Sequence, residues 1–383
     1  MDFSLPEEIE MLRDTAKKFT DKEIRPLADQ IDREEKIPKE LIEKLAKTGL
    51  MSVIIPPEYG GGGFGELGYC AMQEEIAQGC ASTATFLGAH LSLGSQTIVL
   101  FGSEETRKKY LPRLSTGALI AAYSLTEAGS GSDASAMKAK AVFDGEDWVL
   151  NGTKIWVTNG SLADVIVVYA LMEKDGEDLG PGAFVIETAD KGFNVDKIEE
   201  KMGIKGSETV AISFADFHIP KENLLGEPGQ GFKIALTILD IGRLGLGAST
   251  LGQAKEALRL SATYAQQREQ FGQPIAEFQA IQWMLADMTN DIYAMESILY
   301  RTAASYDEGK RVTRDASCVK LFCSEALDRI VDKAVQIHGG MGYSRDLKIE
   351  RMYRDARINR IFEGTSEIQR LVIARETLRR GGY

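Results

Sequence analysis

Apolar side chains recur every three or four residues from the start of the chain to about residue 118, the period of helices with one buried face. Ile9, Leu12, Ala16 and Phe19 make the first stripe; Ser4 with Glu7 reads as its capping box and Pro6 as its first turn. A second helix opens at Pro38 and stops before Gly49, and others are predicted over about 67–78, 83–101 and 104–114. From about 118 to 220 the texture changes to short runs rich in Val, Ile and aromatics: Trp148-Val-Leu, Ile155-Trp-Val-Thr, Asp164–Tyr169, Ala183–Ile186 and Val210–Phe214. Asp144-Gly, Asn151-Gly and Asn159-Gly separate them as turn pairs, which predicts a compact antiparallel β-domain, a barrel or sandwich. After Pro220 and the Gly-rich stretch 226–231, long helical patterns return, broken near Gly272–Pro274, Gly309 and Gly339–Gly342, and they predict a four-helix bundle. The expected class is α+β multidomain: helical over 1–118, β over 119–230 and a bundle over 231–383.

A chain of 383 residues is too long for one ordinary core, so several domains are expected. With 44% apolar and 27% charged residues it reads as a soluble globular protein without membrane insertion. The 57 acidic against 45 basic side chains, net −12, argue against nucleic acid as a partner. Cys70, Cys80, Cys318 and Cys323 form no CxxC pair and fall in helical segments, and His90, His218 and His338 lie far apart. Neither a disulfide framework nor a metal site is expected. The N-terminal MDFSLPEEIEML carries acids where a targeting segment carries bases, so a cytoplasmic location is expected.

Several motifs could carry chemistry. Gly60–Gly68 satisfies a GxGxxG pattern, but no alternation of strands and helices follows, so it reads as a loop between helices. In Tyr123–Asp133 a strand runs into small residues with hydroxyls at Ser124, Thr126, Ser130 and Ser132, suited to an anion or a flat polar heterocycle, or to a plain Ser-Gly turn. Trp156–Asn159 ends a strand and lies beside that loop only if the two strands are neighbours. Gln336–Tyr343 breaks a long helix with three glycines, for close approach of a ligand or subunit or as a helix cap. Arg351, Arg354, Arg357 and Arg360, with Glu350 and Asp355 between them, read as a solvated or intersubunit ion-pair face. Glu363 stands directly before Gly364 between two helices, where a carboxylate can project into a cavity or serve as an N-terminal acid.

Together these segments resemble the acyl-CoA dehydrogenase family, FAD enzymes that desaturate the Cα–Cβ bond of acyl-CoA thioesters. The likeness covers the whole chain. Tyr123–Asp133 is similar to the family's flavin loop, with Ala128 where proline is usual, and Gln336–Tyr343 continued by Asp346, Arg351 and Asp355 resembles its C-terminal signature. The resemblance implies that Tyr123, Leu125, Thr126, Gly131, Ser132, Trp156, Val157 and Thr158 line the isoalloxazine. Thr365, Ser366 and Glu367 would complete the FAD site. Arg268, Phe271, Gln279, Gln336, Ile337, Gly339 and Gly340 would hold FAD from a neighbouring subunit of a homo-oligomer, a tetramer of two dimers. Ser132, Asp240, Arg243 and Gly364 would contact the acyl-CoA.

Glu363 falls on the catalytic base position of the short- and medium-chain members. It would take the α-proton while its backbone N–H and the FAD ribityl chain bind the thioester oxygen; the β-hydrogen would leave as hydride to the flavin. Some branches instead place the base on the bundle helix, one residue before the arginine of Asp-x-x-Arg. Here that residue is Gly242, which cannot accept a proton, so the straight-chain type of site is expected. Electrons would pass to an electron-transfer flavoprotein; an oxygen-using oxidase and a non-catalytic flavin- or CoA-binding subunit are the alternatives.

Overall fold

The computed structural model describes residues 4–382; Met1–Phe3, part of the acidic N-terminal stretch, and Tyr383 lie outside the described residues. Helices fill the first third: α1 Glu7–Phe19, α2 Ala28–Glu34, α3 Lys39–Lys47, α4 Gly65–Gly79, α5 Ala81–Gly88, α6 Gln96–Phe101 and α7 Glu104–Ser115. The first stripe is buried, as its spacing requires, and Pro6 stands at the N-cap position of α1. Helix α5 runs into α6 through a π-helical stretch, Ala89–Ser95, so the helix expected over 83–101 is locally widened.

Strands β1 Ala121–Ser124, β2 Lys140–Phe143, β3 Trp148–Thr158, β4 Val165–Lys174, β5 Glu177–Glu187, β6 Phe193–Ile198, β7 Thr209–Ile219 and β8 Leu224–Leu225 form one eight-stranded sheet. Its order is β6-β7-β3-β2-β4-β5-β8, with β1 beside β4. The expectation of a purely antiparallel domain needs correction, because β1 and β2 both run parallel to β4. The loop between β1 and β2 restores the chain direction instead of reversing it as a hairpin would. Asp144-Gly is a hairpin turn, with Asp144 N–H donating to Asp147 O at 3.0 Å. Asn151-Gly is not: it lies inside β3 at a bulge opposite β7.

The C-terminal part comprises α8 Gly231–Gln267, a small hairpin of β9 Glu269–Gln270 and β10 Gln273–Pro274, then α9 Gln279–Asp307 and α10 Thr313–His338. The short α11 Gly340–Tyr343 and α12 Ile349–Ala356 lead to α13 Ser366–Arg379. Helix α8 is long and apolar enough to cross a membrane, but 78% of its most apolar window is buried against the rest of the fold, chiefly α4 and α10. The loop at Gly60–Gly68 opens α4, whose first N–H groups, of Glu66 and Leu67, donate to Asp307 at 2.8 Å each.

Three of the four arginines make joints within the chain, while Arg357 is exposed as a solvated face requires. Arg351 pairs with Asp29, Arg354 with Asp32 and Glu350 at 2.7 Å each, and Arg360 with Asp328 at 3.1 Å. Asp355 accepts from Ile204 N–H, which ties α12 to the β-domain.

Candidate active site

The two motifs that the sequence left separate lie side by side. Ile155 N–H donates to Thr126 O at 2.9 Å, and Lys154 Nζ donates to Leu125 O at 3.1 Å. Lys154 is fully buried and also bonds Glu127 at 2.8 Å, while the Glu127 carboxylate accepts from Lys138 and Ala139 N–H. Burial alone would raise the Glu127 carboxyl, but these donors hold it below its ordinary value. Glu127 is therefore the anchor of the loop. Next to it Trp156 takes a left-handed backbone, φ +58, and presents its ring outward, 55% exposed, followed by buried Val157 and half-buried Thr158. Gly131 and Ser132 are exposed, and a side chain at Gly131 would meet nothing within 4 Å. In β1 the Ser124 hydroxyl is buried and, among the described residues, has no hydrogen-bond partner, while Tyr123 packs against the Tyr169 ring with centroids 5.1 Å apart. An aromatic beside a low, hydroxyl-lined shelf fits a flat heterocycle such as isoalloxazine.

Glu363 occupies the break between α12 and α13, at φ +55, followed by Gly364 at φ +90, which a side chain would disfavour. Part of the residue reaches the surface, yet its Oε2 is wholly enclosed and, among the described residues, has no hydrogen-bond partner. Burial pushes its carboxyl up to about 7, against the opposing pull of Lys320 and Arg243. Gln369 Nε2 donates to Glu363 O at 3.2 Å and to Gly364 O at 2.9 Å; Lys320 Nζ donates to the same Gly364 oxygen at 2.7 Å. Arg243 is 4% exposed, bonded to Asp240 at 2.6 Å and to Ser317 at 3.2 Å, and Asp240 accepts from Thr313 at 2.6 Å. Asp240 and Arg243 thus form an internal pair beside the carboxylate. Thr365 is the N-cap of α13, accepting from Ile368 N–H at 3.3 Å; Ser366 is buried behind it and Glu367 exposed.

Arg268, Phe271, Gln279, Gln336, Ile337, Gly339 and Gly340 gather elsewhere. Arg268 follows the last residue of α8, about 37 Å along the helix from Arg243 at 1.5 Å per residue. The stacking of Tyr264 on His338, centroids 4.4 Å apart, sets the ends of α8 and α10 together there. Arg268, Gln279 and Gln336 are exposed, Phe271 is 93% exposed at φ +54, and Ile337 is buried. One chain therefore carries two separated halves of the expected cofactor site.

Sequence reasoning missed Lys154, Lys320 and Gln369. Lys320 falls among Ala316, Val319 and Cys323 on the buried stripe of α10, and Lys154 sits at an inward position of β3. A lysine in register with core residues is the signal that could have found both.

Three family profiles tile the chain: the N-terminal domain of acyl-CoA dehydrogenase over 6–118, the middle domain over 122–217 and the C-terminal domain over 229–378. The chain belongs to the acyl-CoA dehydrogenase family. It is 44% identical to an acryloyl-CoA reductase (NADH) of Anaerotignum propionicum, over 99% of this chain and 97% of that one. It superimposes on butyryl-CoA dehydrogenase from Megasphaera elsdenii at TM-score 0.96 and 39% identity, over 99% and 100% of the two chains. A chain from work on the electron transferring flavoprotein of Acidaminococcus fermentans and its flavin-based electron bifurcation matches at TM-score 0.96 and 40% identity, again over 99% and 100%. Solved relatives hold FAD, and FAD is the cofactor of this oxidoreductase fold.

Proposed function

We propose that this acyl-CoA dehydrogenase oxidises a short straight-chain acyl-CoA to the trans-2-enoyl thioester, with Glu363 as acceptor of the α-proton. The observation that carries the reading is the enclosed, unpartnered Glu363 Oε2, on a carboxyl raised to about 7. A base is most effective when its pKa lies near the working pH. Among the described residues no acceptor engages Glu363 N–H, which leaves it to bind the thioester oxygen as negative charge develops. Bound FAD supplies the acceptor for the β-hydride. Tyr123, Leu125, Thr126, Gly131, Ser132 and Trp156–Thr158 would hold its ring, and Thr365–Glu367 its other side. Ser132, Asp240, Arg243 and Gly364 would position the thioester. The acyl chain, by excluding water from Glu363, pushes the carboxyl further up, so the abstracted proton stays on it.

The distance between Arg243 and Arg268 supports a homo-oligomer, a dimer of dimers in which Arg268, Phe271, Gln279 and Gln336–Gly340 reach the FAD of a second copy. The likeness to the Acidaminococcus-derived chain supports an electron-transfer flavoprotein as electron acceptor, and the protein would work in the cytoplasm. The test is anaerobic mixing of holoenzyme with butyryl-CoA. Loss of the oxidised-flavin absorbance with formation of the 2-enoyl product is expected; a flavin left oxidised by short, medium and branched acyl-CoA alike sinks the reading. The 44% identity to an acryloyl-CoA reductase favours a second reading, the same chemistry run as enoyl reduction, which the equilibrium position with each acceptor decides.

A further inference from the structure

Two cations stand inside the bundle near the Glu363 turn, and only one is balanced. Arg243 has Asp240 at 2.6 Å. Lys320, on the buried side of α10, is fully enclosed, and among the described residues it forms no ion pair; its ammonium donates to the carbonyl of Gly364. A lysine is almost never fully buried unless paired, and a carbonyl offers a hydrogen bond but no opposing charge. The groups that face the Glu363 carboxyl are Lys320 from α10, Arg243 from α8, Glu66 and Tyr69 from α4, and Tyr123 from β1. Those facing Lys320 are Glu363, Arg243, Glu367 and Arg360. Glu367 is exposed, so Glu363 is the enclosed anion within reach of this lysine.

We propose that Lys320 is the positioning residue of the base: it fastens the left-handed Glu363–Gly364 turn through the Gly364 carbonyl, and its charge keeps the Glu363 carboxylate ionised until the acyl chain arrives. The inference rests on Glu363 being the α-proton acceptor. A non-glycine residue stays in a left-handed conformation only where its surroundings over-determine it, and the convergence of Lys320 and Gln369 on the Gly364 oxygen does so. Burial raises the carboxyl to about 7 and lowers the ammonium to about 8, while each ion opposes the other's shift. Removing the lysine charge therefore raises the carboxyl further. The base would then be protonated, and idle, at a pH where the native enzyme works.

The test compares holoenzymes carrying Lys320→Gln, Lys320→Met and Lys320→Arg, each first shown by flavin absorbance and thermal melting to hold FAD. Single-turnover flavin reduction by butyryl-CoA is then followed against pH. Lys320→Gln keeps a donor for Gly364 and loses the charge, so its rate well above the acid limb stays within a few-fold of native while the limb moves up by about one pH unit or more. One pH unit below the native midpoint its rate falls about tenfold relative to native. Lys320→Met shows the same upward limb and a lower plateau, because the tether is lost as well; Lys320→Arg returns the limb towards the native position. A limb unmoved in either neutral variant overturns the proposal. Glu363→Gln, run alongside, tests the underlying reading separately: if it reduces flavin at the native rate, the base assignment fails whatever the lysine variants do.

Discussion

A Cβ on Gly242 would stand 2.6 Å from Glu363 Oε2 and 3.1 Å from Leu93 Cδ2. Glycine at 242 is therefore the space in which the carboxylate sits, and the bundle helix and the C-terminal break approach one point from two sides. Gly242→Ala should push the carboxylate aside without touching the flavin shelf. Flavin reduction should slow by about tenfold or more, since small misplacements at a reacting centre cost up to ~10²-fold, while FAD and acyl-CoA binding persist. Unchanged single-turnover kinetics would mean the carboxylate does not use that space. The pair Glu363→Gly with Gly242→Glu should recover activity over Glu363→Gly alone, because a base at 242 enters the same cavity.

Glu363→Gln keeps the shape and removes the basicity. A positioned proton acceptor contributes ~10²–10⁴-fold, so flavin reduction should drop by at least that range with binding intact. Its pH profile should also lose the acid limb. In the native enzyme free of substrate the carboxyl lies at about 7, so kcat/KM should fall as pH drops below that value, where Glu363 gains its proton. A profile flat down to the ordinary glutamate value of 4.5 would contradict the burial seen here.

Much of this site was legible in the residues. The stripe of α1 and the Pro38 start of α3 follow local rules and stand where those rules put them, whereas the roles of the Tyr123–Asp133 loop and of Glu363 came only with the family resemblance. What the sequence hid depends on distant partners. Asn151-Gly reads as a turn because a bulge needs β7 opposite it to be recognised. The arginines of α12 read as a free face because Asp29 and Asp32 are more than three hundred residues earlier. Lys154 and Lys320 were overlooked because a lysine's default is solvent, and only the packed fold shows each buried with a backbone carbonyl to hold.

The Lys154–Glu127 bond should tie stability to cofactor binding if the loop it anchors holds FAD as proposed. Both side chains are buried, and breaking such a pair from one side typically costs about 3–5 kcal/mol because a charge is left uncompensated. Lys154→Met should lower the melting temperature and release FAD on gel filtration. Adding Glu127→Gln should restore much of the stability, since the stranded charge is gone. Retention of FAD and native melting in Lys154→Met would refute the anchoring role.

Glu66 makes the opposite case, an acid whose proton the fold holds more tightly than water does. It is 3% exposed at the start of α4, with Cys70 Sγ 3.7 Å away as its hydrogen-bond partner. Burial pushes its carboxyl well above the ordinary 4.5, and repulsion from Asp307 and Glu363 adds to the shift. Above pH 4.5 the unfolded chain therefore gives up this proton more readily than the folded chain. The folded state therefore loses stability steadily as pH rises from 4.5 towards the raised value. Glu66→Gln has no proton to release and keeps a similar volume. Its melting temperature should match native near pH 4.5 and exceed it progressively towards neutral pH, in thermal scans of the two holoenzymes side by side. Melting curves that run parallel across that range would show that Glu66 is ionised in the folded protein, and that the charge it shares the interior with at Glu363 is met by some other means.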